Sequence, residues 1–178
     1  MRRTIRLLIL VALPVAAAAC ASGGGVPRPE PFPGAAAPPE AAEPRSPART
    51  AARAVIATAL MYQGVPYLNG GSDPKGFDCS GFVQWVFARN GLALPREVHD
   101  QYRVGRKIDR DDIHPGDLVF FHTERRGASH VGIALDGDRF VHAPSSRGVV
   151  RIERYTTAYW KKRYVGARRI AEERSARK

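Results

Sequence analysis

The chain carries three residues whose types and order could perform nucleophilic chemistry on a carbonyl group. Cys79 lies in the run Phe-Asp-Cys-Ser-Gly-Phe, where a turn-rich segment gives way to a helical pattern, and His130 and His142 follow in two β-like segments. A thiol attacks well once it is ionised, and a helix N-terminus or a neighbouring imidazole lowers its pKa. The order Cys, His, His predicts a thiol nucleophile, a base and a residue that orients the base.

The cysteine is predicted to be the first residue of a helix over residues 79–90. Apolar residues recur there at spacings of three and four, and Gly91 ends the pattern. Asp78 is a good N-cap, and Phe77 and Phe82 occupy the two positions of a hydrophobic staple. The main-chain N–H groups at this helix start are therefore candidate donors to an oxyanion.

The two histidines can meet only if their strands pair in one register. A connection of three residues, 136–138, places Gly132 opposite His142 and puts His130 on the same face, about 7–8 Å away on the diagonal. A two-residue Asp-Gly turn, which the dipeptide favours locally, would turn the histidines to opposite faces. The catalytic interpretation therefore requires an odd-length connection or a bulge.

The remaining pattern predicts the elements that must position these residues. A helix is expected over residues 50–62, a turn-dense loop over 64–76 and a short helix near 97–103. Five short runs rich in β-branched and aromatic residues predict strands at 118–121, 131–135, 140–143, 149–152 and 164–170. Helices followed by a meander of strands predict an α+β domain with the helices on one face of an antiparallel sheet.

The two ends of the chain differ in composition from this domain. Residues 1–19 have the basic, apolar and small-residue order of a secretory signal. Cys20 follows directly, and this arrangement resembles a bacterial lipoprotein signal, which implies acylation of Cys20. Because Ala17 stands where such signals usually have Leu, ordinary cleavage after Ala-x-Ala is the alternative.

Beyond the signal, the composition separates a linker, a domain and a tail. Residues 20–47 are rich in Pro, Ala and Gly and are predicted to form a disordered tether. The folded domain is predicted over residues 48–170, and residues 171–178 form a basic tail. Since Cys20 belongs to the signal region, Cys79 has no intrachain disulfide partner in the predicted mature protein.

The charge balance limits the classes of partner and cofactor. The chain has 178 residues with 28 Lys+Arg against 17 Asp+Glu, a net charge of +11. In an exported protein, this excess favours an anionic cell-wall polymer or lipid headgroup over nucleic acid, while a solvated charged tail accounts for it equally well. One cysteine and two histidines fall short of a closed metal site, so we expect no metal and no other cofactor.

Four sequence blocks resemble the motifs of the NlpC-type family of bacterial cysteine peptidases, which is circularly related to papain. In chain order they are Phe-Asp-Cys-Ser-Gly-Phe-Val, His-Pro-Gly-Asp-Leu-Val-Phe-Phe, Ser-His-Val-Gly-Ile-Ala-Leu and Phe-Val-His-Ala-Pro. The likeness covers residues 51–170. It implies a papain-like α+β fold, with N-terminal helices packed on a five- to six-stranded, mostly antiparallel sheet. It also implies Cys79 as the nucleophile, His130 as the base and His142 as the orienting residue.

The same resemblance implies which residues border the substrate. Tyr67 matches the tyrosine whose hydroxyl lies beside the thiolate in the family. Asp78, Ser80 and Ser129 match positions near the amino end of the substrate. The run Leu-Pro-Arg that ends at Arg96 matches the start of a motif that usually continues with Ser or Thr, whereas Glu follows here.

The function implied by the resemblance is hydrolysis of peptidoglycan stem peptides. The expected bond is γ-D-glutamyl-meso-diaminopimelate, cut through an acyl-enzyme at Cys79. The alternatives are an N-acetylmuramoyl-L-alanine amidase or an acyltransferase with the same triad, and a non-catalytic wall-binding module. We expect a monomer in the cell envelope, held by lipid on Cys20 at the periplasmic face of the outer membrane. Without acylation it would be secreted or periplasmic.

Overall fold

The computed structural model describes residues 47–123 and 126–170, all of which lie within one compact unit. The predicted signal at 1–19, Cys20 and the tail at 171–178 lie outside the described residues, as does all of the predicted tether except Pro47. Within the described ranges, every helix is too short or too polar to cross a bilayer.

Two helices precede the sheet and pack against each other. Helix α1, Pro47–Leu60, begins three residues earlier and ends two residues earlier than predicted, and it buries Val55 and Ala59. Helix α2, Cys79–Arg89, begins at the predicted residue. It ends because Asn90 leaves the helical conformation and Gly91 adopts a positive φ of 72°, which glycine tolerates without strain.

Several short elements lie between and after these two helices. They have only two to four residues each, which is too few for a clear sequence pattern. The segment predicted as a loop contains a two-stranded ribbon of β1, Ser72–Asp73, and β2, Gly76–Phe77. Helix α3, Val98–Gln101, is shorter than the predicted helix. Helix α4, Ala158–Lys161, was not predicted, because four residues are too few for a periodic signal.

The sheet has six strands in the order β3-β8-β4-β5-β6-β7, and every neighbouring pair is antiparallel. The α+β, papain-like prediction is confirmed, and the strand number is the upper of the two expected. The unpredicted strand, β3, is three residues long with two exposed basic residues, so it lacks an apolar pattern. The strands are β3 Arg106–Ile108, β4 Leu118–Phe121, β5 His130–Ala134, β6 Arg139–His142, β7 Arg151–Arg154 and β8 Tyr164–Arg169.

Strand β7 starts two residues later than its apolar run predicts. Val149 forms an isolated bridge with Pro66, and Val150 exchanges main-chain hydrogen bonds with the turn after α1, including its N–H to Val65 O at 2.8 Å. These residues therefore tie the turn after α1 to the edge of the sheet, and pairing with β6 begins only at Arg151.

The sheet separates two apolar clusters because successive side chains of a strand point to opposite faces. One cluster joins α1 and α2 to residues such as Val131 and Val141. The other contains Phe121, Phe140 and Trp160. His130 and His142 contact the rings of this second cluster, and His130 is the first residue of β5, directly before Val131, which lies beside Cys79.

Candidate active site

Cys79 is held at the start of α2 by a cap and by a close backbone contact. The Asp78 carboxylate accepts the Gly81 N–H at 2.7 Å and thus satisfies one free donor of the first turn. A Cβ at Gly81 would lie 2.1 Å from the Gly71 carbonyl oxygen, so only glycine allows the turn before β1 to pack here. The cap and this contact together set where the helix begins.

The hairpin of β5 and β6 has the register that the catalytic interpretation requires. Ile133 pairs with Val141, and the Leu135 N–H donates to Arg139 O at 2.8 Å, which leaves three residues in the connection. The register predicted for a three-residue connection is confirmed, and its continuation places Gly132 level with His142. A Cβ at Gly132 would lie 2.5 Å from the Phe140 ring, so glycine provides the space that the opposing strand needs.

The longer turn is favoured by the Asp136 side chain. Its carboxylate accepts the N–H groups of Asp138 at 2.9 Å and Arg139 at 2.7 Å, and it also pairs with the Arg139 guanidinium. These bonds stabilise a three-residue connection, which outweighs the local preference of Asp-Gly for a two-residue turn. The turn therefore determines that both histidines share one face.

The two imidazoles form a buried pair. His130 Nε2 and His142 Nδ1 are 2.7 Å apart, and the residues are 7% and 0% exposed. Trp160 stacks on His130 with ring centroids 5.5 Å apart and an interplanar angle of 24°. Trp160 could not be identified from the sequence, because an aromatic residue in an unpredicted helical turn carries no signal of a partner 30 positions away.

Burial keeps both imidazoles neutral near pH 7. The loss of water lowers the pKa of His130 to about 4. Burial, then the neighbouring His130 and Arg151, lower the pKa of His142 well below its usual value. A neutral imidazole at His130 can accept a proton, which is the state that a general base needs.

The Cys79 thiol lies beside the start of β5, close enough for the Val131 N–H to lower its pKa. Burial, followed by the charge of Asp78, raises the pKa of the thiol to about 11, while the N–H groups of Val131, Ser80 and Cys79 lower it by less. The expectation that the helix start leaves an acidic thiol is therefore wrong for the free domain. Ionisation of Cys79 requires transfer of its proton to a base.

Three of the predicted substrate residues form one polar cluster beside the cysteine. Arg96 forms an ion pair with the Asp78 carboxylate, and its Nη1 donates to Ser80 Oγ at 2.8 Å. Buried Gln101 donates from Nε2 to the carbonyl oxygens of Ser80 at 3.0 Å and Pro95 at 2.9 Å, which holds the Arg96 segment against the helix. The Arg96 side chain is 33% exposed, so solvent reaches the cluster.

The other two predicted substrate residues flank this region. Tyr67 is half-buried and forms a bridge with Phe77, two residues before Cys79. Ser129 directly precedes β5, and its Oγ accepts the Thr123 N–H at 2.9 Å. Both residues are thus close in sequence or pairing to the cysteine or the first histidine.

A cavity of about 710 Å³ opens on the histidine side of the site. Its wall includes His130, Trp160, Tyr159 and Glu153. Glu153 was not among the predicted residues, since one acidic residue in a strand with alternating charges resembles a solvated surface position. His130 therefore borders a space large enough for part of a peptide.

The family of the chain follows from its motifs and from this arrangement. The model of the NlpC/P60 family matches residues 64–169, which include all three predicted catalytic residues. The chain belongs to the NlpC/P60 family. The predicted family is thus confirmed, and the matched segment covers the ribbon, α2 and the whole sheet.

Individual relatives in the NlpC/P60 family have named activities. A murein DD-endopeptidase/murein LD-carboxypeptidase of Escherichia coli K12 is 46% identical over 110 residues, 61% of this chain and 57% of that protein. A γ-DL-glutamyl hydrolase of Bacillus subtilis is 44% identical over 119 residues, 65% of this chain and 29% of that protein. The chain thus covers little more than half, or less, of each of these relatives.

Solved NlpC/P60 structures have the same architecture. The peptidoglycan hydrolase RipB of Mycobacterium tuberculosis superposes with a TM-score of 0.62 at 33% sequence identity. The match covers 71% of this chain and 68% of that one. The likeness supports the papain-like arrangement of helices and sheet described above.

Proposed function

We propose that this protein is a peptidoglycan hydrolase that cuts an amide bond of the stem peptide, with Cys79 as the nucleophile. The observation that carries the proposal is the contact between the Cys79 sulfur and the start of β5, the strand on which His130 is hydrogen-bonded to His142. A thiol, a neutral imidazole and a group that holds the imidazole are the parts that thiol-based acyl transfer needs.

The proposed reaction starts from the neutral pair. His130 Nδ1 takes the thiol proton while its Nε2–H donates to His142 Nδ1. The thiolate adds to the amide carbonyl, and main-chain N–H groups at the start of α2 stabilise the oxyanion. The C–N bond then breaks, the leaving amine takes the proton from His130, and the acyl group stays on sulfur. Water, deprotonated by His130, releases the acid and restores the thiol.

The polar cluster of Asp78, Ser80 and Arg96 is proposed to hold the polar amino end of the substrate, together with Ser129. Asp78 and Arg96 neutralise each other in the free domain. A substrate ammonium that approaches Asp78 would therefore compete with Arg96 for the carboxylate. We further propose that the Tyr67 hydroxyl lies beside the thiolate when it forms.

For the bond, γ-D-glutamyl-meso-diaminopimelate is the first candidate, and similarity to a γ-DL-glutamyl hydrolase favours it. Similarity to a murein DD-endopeptidase, 46% identical, favours an amide between two D-configured centres as the second. The alternative hypotheses, an amidase, an acyltransferase and a wall-binding module, predict other outcomes. An amidase releases whole peptides that begin with Ala, and a binding module releases nothing.

The test is product analysis by mass spectrometry on defined monomeric and cross-linked muropeptides. We expect the purified protein to release stem-peptide fragments and Cys79→Ala to release none. A monomer cut into an N-acetylmuramoyl-Ala-Glu fragment and a peptide that begins with diaminopimelate identifies the glutamyl bond, and conversion of cross-linked dimers to monomers identifies the DD bond. Equal hydrolysis by Cys79→Ala would exclude the proposed nucleophile, while wall binding without turnover by either protein would favour the binding module.

The placement of the protein in the cell is proposed from its N-terminal residues. We propose that residues 1–19 are removed, that Cys20 is acylated and that residues 20–47 tether a monomeric domain, residues 48–170, to the periplasmic face of the outer membrane. Metabolic labelling with a fatty-acid precursor should mark the wild-type protein and leave Cys20→Ser unlabelled. If both proteins stay unlabelled, the secreted or periplasmic form is correct.

A further inference from the structure

The polar contacts of the buried histidine pair extend beyond His142 to a third side chain. On the neighbouring strand β7, Glu153 Oε1 is 3.9 Å from His142 Nε2 and 3.2 Å from Arg151 Nε. The other carboxylate oxygen, Oε2, accepts the Trp160 Nε1–H at 2.7 Å. Glu153 is therefore fixed by the same tryptophan that stacks on His130, and it faces the outer nitrogen of the pair.

The nitrogen that faces this carboxylate has no other partner among the described residues. His142 Nε2 is fully buried and forms no hydrogen bond of ordinary geometry. A buried N–H without an acceptor is unfavourable, so a nearby anion stabilises the tautomer that carries the proton on this nitrogen. At 3.9 Å the interaction is electrostatic, and the burial of His142 reduces its screening by water.

From these contacts, we propose that Glu153 is a positioning residue that holds His142 with its proton on Nε2. His142 Nδ1 is then free to accept the Nε2–H of His130, and His130 Nδ1 is left without a proton toward the Cys79 thiol. Glu153 acts through His142 and does not touch the reacting atoms. The inference rests on the proposed acyl transfer for its kinetic consequences, but the tautomer of His142 does not depend on turnover.

The charge of Glu153 has a second consequence during the reaction. Among the described residues, Arg151 and Glu153 from β7 and Tyr159 from α4 lie near the histidine pair or at the cavity wall, and Cys79 of α2 lies beside Val131, the residue after His130. Arg151 opposes a positive charge on the pair, and Glu153 offsets Arg151. When His130 takes the thiol proton, the carboxylate stabilises the imidazolium that forms.

The decisive variant is Glu153→Gln, because the amide can still accept the Trp160 Nε1–H but carries no charge. We expect kcat on a defined muropeptide to fall about tenfold with KM within about twofold, and the melting temperature to stay within about 3 °C. Removal of the anion lowers the pKa of the histidine base. The acid limb of the kcat/KM profile should therefore move to lower pH.

Two further variants distinguish the effect of the Glu153 charge from the effect of changing a side chain on strand β7. Glu153→Asp keeps the carboxylate and should recover part of kcat and the position of the acid limb. Arg154→Gln, on the next residue of β7, removes an exposed ion pair with Asp138 and should leave kcat and the pH profile unchanged. An equal loss of kcat in Arg154→Gln and Glu153→Gln would attribute the effect to the strand and overturn the proposal.

A measurement without substrate completes the test. Long-range ¹H–¹⁵N spectra of histidine-labelled protein at pH 7 should show His142 protonated on Nε2 in the wild type and a changed tautomer balance in Glu153→Gln. His142 protonated on Nδ1 in the wild type would overturn the proposal. So would a rise in KM with an unchanged tautomer, since Glu153 would then contact substrate. If the wild type does not hydrolyse peptidoglycan, the proposed function fails while this spectrum still decides the role of Glu153.

Discussion

The two sides of the site differ in how far their charged and titratable groups are exposed to solvent. On the helix side, Asp78 and Arg96 form an ion pair at a solvent-accessible surface beside the thiol. On the hairpin side, His130 and His142 are buried among aromatic rings and are kept neutral. The helix side therefore suits recognition of a polar substrate, and the hairpin side suits a base whose strength depends on exclusion of water.

This difference indicates how the Cys79 thiol must be activated. Solvent reaches the Asp78–Arg96 pair through the Arg96 side chain, which is 33% exposed, so the carboxylate can exchange its partner for a substrate group. Burial disfavours the charged form of both reacting groups. It raises the pKa of Cys79 to about 11 and lowers that of His130 to about 4. The free domain therefore holds a neutral pair, and charge separates only when a substrate can use the thiolate.

The largest expected effect tests the hairpin side. His130→Asn should lower kcat by about 10²–10⁴-fold, since positioned general bases contribute that much. The measurement is the rate of muropeptide cleavage, with thermal melting to show that the variant folds. His122→Asn, at an exposed histidine just after β4, is the matched control and should retain full activity. A His130 variant within fivefold of wild type would mean that another group accepts the thiol proton.

The state of the thiol is tested by alkylation of the free domain. Because the pKa of Cys79 is raised to about 11, iodoacetamide should react at pH 7 at least about tenfold more slowly than with a simple thiol of pKa ~8.5. Between pH 7 and pH 10 the rate should rise with each unit as the thiolate fraction grows. Alkylation faster than that of the simple thiol near pH 6.5 would show that the helix start outweighs burial and that the thiolate exists before substrate binds.

The spacing of the hairpin is tested at Gly132. In Gly132→Ala, the added Cβ meets the Phe140 ring and lies 3.1 Å from His142 Cβ, so the histidine strand must move. We expect a loss of about 1–3 kcal/mol in the free energy of unfolding and about a tenfold loss of kcat. Gly137→Ala has open space around its Cβ and is the control. Unchanged activity in Gly132→Ala would show that the pair tolerates displacement.

The smallest effect tests the helix side. Asp78→Asn retains a residue that caps helices well, but it removes the negative charge that raises the thiol pKa. The pKa of Cys79 should fall, so alkylation at pH 8 should be about two- to fivefold faster than in wild type. Asp73→Asn, an exposed acid in the ribbon, is the control. Slower alkylation in Asp78→Asn would mean that the carboxylate supports the thiolate through the cap more than it repels it.

Much of the fold and part of the site could be predicted from local signals. The cap at Asp78, the start of α2 at Cys79 and the four-residue strand β4 follow from residue types and spacing over a few positions. The condition for the histidines to share a face could also be stated in advance, because strand pairing has a period of two. Strand β3 and helix α4 could not be predicted, since their three and four residues are held by distant partners.

The sequence by itself determined the family, the order of the proposed catalytic residues and the position of the cysteine at a helix start, because these depend on neighbouring residues. Only the tertiary structure decided that Asp136 selects the longer turn, that Trp160 covers His130 and that Glu153 faces His142. It also reversed the expected direction of the pKa of Cys79. Burial depends on every group that packs around an atom, and those groups come from distant parts of the chain.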